Sequence, residues 1–286
     1  MGNNPPEQGL KYIRERAREI VFRSPYPDFY KDFSWAKNLS GEFFETDPVI
    51  VRLREYVAEK LEDDFGHGLK HATKVTLDAG ALLIIELCDF EAHPFEQELE
   101  KGRCAGYSDR NFNLDELALM QGIKELNRRI MIVQCAGLLH DIKRKEKYHA
   151  VAGASSAREI LNDYPLSADE VEEVCLSIRN HEAFTNTVEI DTCEGILISD
   201  CLYDADKFRW GPDNFSDTIW DMVAFFKTPL SKFMEYYPKG MEKLADIKHT
   251  FRSDTGKKYG PQFIDIGLAI GDELYKIIKT EFAHLL

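Results

Sequence analysis

"LALMQGIKELNRRIMIVQCAGLLHDIKR", Leu117 to Arg144, decides how this chain folds. Asn113 with Glu116 forms a capping-box start just ahead of it, and the stretch reads as one helix that turns apolar toward Leu139. A run of that kind implies deep burial, yet His140 and Asp141 follow it directly. Burying an imidazole and a carboxylate without partners costs several kcal/mol. The pair is tolerable if a divalent cation takes both. Neighbouring residues on a helix point about 100° apart, but a long His and a short Asp can still converge on one ion. The alternative is that His140 and Asp141 mark a helix C-terminus and face solvent.

Outward from this helix the dominant period remains helical. Val171, Val174, Cys175 and Ile178 fall at i, i+3, i+4 and i+7, one apolar stripe, behind a capping box of Ser167 and Glu170 that follows Pro165. Further helices are predicted over residues 8–22, 49–62, 68–89, 149–162, 192–205, 216–226, 239–250 and 261–284. Strand-like alternation is brief, so the predicted class is all-α. Residues 1–47 read as an N-terminal extension rich in aromatics (Phe22, Tyr26, Phe29, Tyr30, Phe33, Trp35), residues 48–210 as a helical core, and residues 211–286 as a C-terminal helical lobe packed on it. A polar, glycine-containing insertion over about 91–113 interrupts the core.

The composition narrows the partners. The 286 residues are 44% hydrophobic and 30% charged, with a formal charge of −14, which argues against a polyanion such as nucleic acid. An anionic small molecule is still accessible through a local cationic site, either a metal or a small Lys/Arg cluster. Six cysteines form no CxxC pair, and Cys88, Cys135 and Cys175 sit in apolar helix patterns as small buried hydrophobes. No apolar run reaches membrane-spanning length. The first residues read as a charged helix and not a secretory leader, and Pro6 breaks the myristoylation pattern. A reduced, cytoplasmic setting without membrane contact is expected.

Six of the eight histidines lie within residues 67–181. His71 stands in "FGHGLKHATKVTLDAGALL" (65–83), His140-Asp141 in "GLLHDIKR", His149 in "YHAVAGA", His181 in "IRNHEAF", and Asp204 and Asp206 in "LYDADKFRW". At this point the chain resembles the HD superfamily of metal-dependent phosphohydrolases: a helix-borne His, an adjacent His-Asp, then a distant Asp in an Ala-Asp context on an all-α core. As it stands here the pattern is His71, His140-Asp141 and Asp206, over roughly residues 50–210. His149 and His181 resemble the added ligands of two-metal members, among them the HD-GYP phosphodiesterases. "NHEAFTN" replaces the second adjacent His and the Gly-Tyr-Pro turn of that group, so its cyclic-dinucleotide specificity does not carry over.

The resemblance implies an HD-domain helical core with one or two divalent transition metals. Imidazole and carboxylate donors suit Mn, Fe, Co, Ni or Zn, whereas Mg favours an all-oxygen shell. One ion would draw on His71, His140, Asp141 and Asp206. A second would draw on His149 and His181 and share Asp141. Two ions about 3.5–4 Å apart activate water and stabilise an in-line phosphoryl displacement. Between the late carboxylates, Asp206 is preferred, because Asp204 continues the stripe of Asp200 and reads as an exposed polar face.

Bases lie beside every motif. Arg144 stands where two-metal relatives carry a basic residue, so the resemblance implies a catalytic, phosphate-facing role for it; Lys143, Arg179 and Lys207 are further candidates for substrate contact, with Arg209 close by. Lys257 and Lys258 could reach the pocket from the C-terminal lobe. His67, one turn before His71, either protonates a leaving oxygen or binds a phosphate oxygen, or is a helix-start histidine stacked on Phe65. His93, His249 and His284 read as surface residues. The expected function is hydrolysis of a phosphate mono- or diester of a small phosphorylated molecule, foremost a nucleotide. The alternatives are a di-iron oxygenase on the same kind of core, as in inositol oxygenase, and a non-catalytic HD module used for binding or regulation.

Overall fold

The computed structural model describes residues 7–61, 66–89 and 116–286, and every regular element among them is helical. In chain order these are α1 (Glu7–Arg23), α2 (Asp28–Asp32), α3 (Ser34–Thr46), α4 (Pro48–Lys60), α5 (Leu69–Asp89), α6 (Glu116–Leu139), α7 (His149–Leu161), α8 (Ala168–Arg179), α9 (Cys193–Phe208), α10 (Ile219–Phe225), α11 (Leu230–Asp246) and α12 (Asp254–Glu281). A π-helical turn, Asn214–Thr218, precedes α10. The predicted insertion at about 91–113, with His93, and the cap residue Asn113 lie outside the described residues.

The centre is the pair α5 and α6, with α9 packed across α5 and α8. α5 is apolar over most of its circumference and α6 becomes so from Ile130 onward, and Val75, Leu82, Leu83, Ile84, Val133, Leu138 and Leu139 are all buried. Their close approach depends on Gly137, where a Cβ would fall 2.7 Å from the Thr76 Cα. The buried Gln134 donates its side-chain amide to the Ser40 carbonyl at 2.9 Å, while its Oε1 has no partner among the described residues. α8 begins at the expected capping box. Ser167 Oγ accepts from the Glu170 amide at 3.3 Å, and the Glu170 carboxylate accepts from the Ser167 amide at 2.6 Å. Its stripe of Val171, Val174, Cys175 and Ile178 is buried as the spacing requires.

Several sequence expectations need correction. α2 and α3 lie within the first 47 residues, where no helix beyond α1 was expected. Phe29 is buried against Phe208 of α9, with ring centroids 5.1 Å apart, and Phe263 of α12 stacks on Phe208 at 4.1 Å. α11 starts at Leu230 and α12 at Asp254, ahead of the expected 239 and 261, because both helices run through an internal proline, Pro238 and Pro261. Proline normally marks a helix boundary, but tertiary packing overrides it here, helped in α12 by the Ser253 cap upstream. Cys135 and Cys175 are buried as expected, but Cys88 is exposed, since it sits in the last turn of α5 beyond the buried stripe. No helix among the described residues is long and apolar enough to cross a membrane.

Candidate metal centre

Five elements deliver the candidate ligands to one place. His71 lies in the first turn of α5, and His140-Asp141 in the turn that ends α6. His149 opens α7, His181 follows α8, and Asp206 lies in the last turn of α9. The relative exposures are 9% for His71, 0% for His140, 3% for Asp141, 5% for His149, 3% for His181 and 7% for Asp206. His140 and Asp141 do follow a helix C-terminus, as one sequence reading held, but they point into the core and not to solvent.

Asp141 is the hub. Its Oδ2 lies 3.4 Å from His140 Nε2 and 3.7 Å from His71 Nε2, while its Oδ1 lies 3.6 Å from both His149 Nε2 and His181 Nε2. Asp206 closes the first group from the far side, with Oδ1 3.3 Å from His71 Nε2 and 3.9 Å from His140 Nε2. His71, His140 and Asp141 form one group that could hold a metal ion, and Asp141, His149 and His181 form a second.

Hydrogen bonds behind the rings settle which nitrogen faces the cluster. His140 Nδ1 donates to the Gly137 carbonyl at 2.7 Å, and His181 Nδ1 donates to the Ile178 carbonyl at 2.6 Å. Each bond places the proton of a neutral ring on Nδ1 and leaves a lone pair on Nε2. Those lone pairs face carboxylate oxygens, a repulsive pairing unless positive charge lies between them. Asp141 Oδ1 is buried and has no hydrogen-bond partner among the described residues. An orphaned buried carboxylate oxygen ringed by imidazole nitrogens is the arrangement a divalent cation resolves. The residues present therefore fit a metal.

The electrostatics agree. Burial would raise the Asp141 pKa, but His140 and then His181 hold it well below the usual carboxylate range. Asp206 is likewise held far down against burial, by Lys207 first and then His71. Burial would lower His140, and Asp141 outweighs it, so that ring is drawn toward its protonated form. His71 goes down because burial dominates over the pull of Asp206. His149 is pushed down to about 4, by burial first, with Arg144 reinforcing it and Asp141 opposing. The carboxylates demand positive charge, which a proton on His140 or a divalent cation would supply.

Asp204 and Asp206 separate sharply. Asp204 is 0% exposed, so its expected place on an exposed polar face is wrong. It points away from the cluster and caps α12, accepting from the amides of Arg252 (2.9 Å) and Ser253 (2.8 Å) and from Ser253 Oγ (2.7 Å).

The bases divide too. Arg144 reaches the cluster, with a terminal nitrogen 3.1 Å from His149 Nε2 and its Nε 3.9 Å from Asp141. Lys207 is buried beside the cluster, but it donates to Asp206 Oδ2 at 2.6 Å and so orients a carboxylate. Arg209 is taken up by Asp78 and Asp213 and donates to the Tyr30 hydroxyl at 2.6 Å, which makes it structural. Lys143 pairs with Glu146 at 3.4 Å, and both line a cleft beside Asp141. Arg179, Lys257 and Lys258 do not line the clefts at the cluster, and Lys257 pairs with Asp254 on the surface. His67 is half-buried on the wall of the site, its ring 4.9 Å from that of His71; Phe65 lies outside the described residues. His249 and His284 are exposed, as expected.

A cavity of about 500 Å³ opens in front of the cluster. Sequence reasoning missed two of its features. Glu182 lines it, 3.3 Å from His149 Nδ1, and its position beside His181 was the available signal. The far wall comes from the π-helical turn, α10 and α11, a region without polar motifs to draw attention. π-helical turns often mark functional sites, and this one brings Asn214, Phe215 and Thr218 to the cavity. No protein-family model matches this chain, and no curated protein or solved structure matches it.

Proposed function

We propose that the chain is a metal-dependent phosphohydrolase of the HD type that cleaves a phosphate mono- or diester of a small molecule. The observation that carries this reading is Asp141, one buried carboxylate with an oxygen toward each of two histidine groups. His71, His140, Asp141 and Asp206 would hold one divalent transition ion, and Asp141, His149 and His181 a second. Bound there, such ions supply Lewis-acid activation of water and neutralise charge in an in-line displacement at phosphorus. Arg144, which lines the cavity, faces the non-bridging oxygens of the phosphate and stabilises charge as it develops. His67, at the cavity wall, hands a proton to the leaving oxygen. Lys207 fixes the rotamer of Asp206.

The test compares the metal content of protein purified without chelator with that of an Asp141→Ala variant, followed by assay on an aryl phosphate and a nucleotide panel with added Mn or Co. The expected result is tightly held transition metal and metal-dependent hydrolysis, both lost in the variant. Wild-type protein without metal or turnover would overturn the reading. Iron with oxygen uptake would assign an oxygenase, and stoichiometric metal without turnover a binding module.

A further inference from the structure

The space around the cluster is lopsided in charge. From Trp210 to Leu244 the cavity lining contains no charged side chain; Phe215, Ile219, Met222, Phe233 and Met241 make most of this wall apolar, with Asn214, Thr218 and Tyr236 as uncharged polar residues among them. The Tyr237 hydroxyl, also on this wall, already donates to the Gly271 carbonyl at 2.9 Å. The two cations at the cavity floor, Lys207 and Arg209, are committed to buried carboxylates. Beside Asp141 a second cleft is lined by Lys60, Lys143, Arg144 and Lys145, with Glu146 as its one acid besides Asp141 among the described residues. His67, Asp141 and Arg144 line both spaces, so the cluster stands at the border between them.

Resting on the phosphohydrolase reading, we propose that the substrate is amphiphilic: a phosphate ester whose anionic head lies at the cluster and toward the basic cleft, and whose aliphatic arm lies along the α10–α11 wall. A nucleoside polyphosphate fits poorly. Its phosphates, placed along that wall, would meet no charged side chain, and its base would cover Phe215, Ile219, Met222 and Met241 with only Asn214, Thr218 and Tyr236 there to pair its polar edge. An aliphatic chain needs neither, and its transfer from water to this wall is favourable by area alone. In the reaction water adds to phosphorus and the bond from phosphorus to the ester oxygen breaks. The chain then leaves as an alcohol carrying a proton, with inorganic phosphate remaining.

The experiment uses the full chain, with and without Mn. Calorimetry follows binding of n-alkylphosphonates from ethyl to octyl, and kinetics follow hydrolysis of the matching alkyl phosphates and of AMP. Affinity and kcat/KM are expected to rise about three- to fourfold per added methylene, with a negative heat-capacity change on binding. Met222→Lys is expected to flatten that dependence. Affinity independent of chain length, or AMP cleaved in preference to octyl phosphate, overturns the amphiphile proposal, and the wild-type series decides this even if the variant does not fold. Chain-length-dependent binding without any hydrolysis sinks the phosphohydrolase reading and leaves the amphiphilic site standing. Hydrolysis indifferent to chain length does the reverse.

Discussion

Arg209 and Lys207 stand two residues apart at the end of α9, and each answers a different buried carboxylate. Arg209 is 6% exposed and serves Asp78 and Asp213 at once. Removing one partner of such a pair leaves charge uncompensated in the core, at a cost of about 3–5 kcal/mol. Arg209→Met should therefore lower the unfolding free energy by about that amount in a urea titration while metal content stays at the wild-type level. Loss of metal with unchanged stability would return Arg209 to the site. Asp200 offers a second residue-scale test. Burial pushes its carboxyl up from the ordinary value to about 6, against the pull of Arg252 and Lys257. A carboxyl raised by folding favours the folded state while protonated. Its contribution is complete below the ordinary value and is lost as pH rises through about 6. Between pH 4 and 7 this amounts to on the order of 2 kcal/mol. Asp200→Asn should flatten the pH dependence of the urea midpoint across that window, and parallel curves for the two proteins would refute the assignment.

The helices α8 and α12 show what local sequence can and cannot reveal about an element. The start of α8 is written in four consecutive residues, Ser167 to Glu170, and both halves of the box form. The start of α12 is not local. Ser253 Oγ accepts from the Gly256 amide at 2.9 Å and also donates to Asp204 Oδ2 at 2.7 Å, across a sequence separation of 49. A Cβ at Gly256 would overlap the Asp204 carboxyl, so the glycine makes room for this contact. Ser167→Ala should cost about 1 kcal/mol, the usual worth of a cap. Ser253→Ala should cost more, about 2 kcal/mol, because it also removes one of three donors to a buried carboxylate. Chemical denaturation of the two variants side by side checks the order, and equal losses would show that the link to Asp204 adds nothing.

For the whole molecule, metal and fold are linked. Five helix ends or first turns converge on the cluster, so an ion held by the native state alone stabilises all of them together. At a free concentration about 100 times Kd the gain is about 2.7 kcal/mol. Thermal unfolding should move up on adding Mn or Zn and return with chelator. Asp141→Ala should abolish the shift. An unchanged midpoint in wild type would mean that the cluster binds nothing under those conditions.

The sequence by itself determined the all-α class, the course of the long central helix and the order of His71, His140-Asp141, His149, His181 and Asp206. Helical period and caps are properties of neighbours in the chain, and imidazoles placed beside apolar runs announce buried polar chemistry wherever they occur. Tertiary structure alone decided which side chains meet. Asp204 was misread because α9 is buried all around from Cys201 to Phe208, so a polar stripe on it marks no solvent face. Arg209 was drawn off by Asp78, 131 residues away in the chain. The uncharged wall of the cavity comes from a stretch that carries no motif at all. Contacts of that length depend on how helices pack, and packing is set by the shapes of all the faces at once.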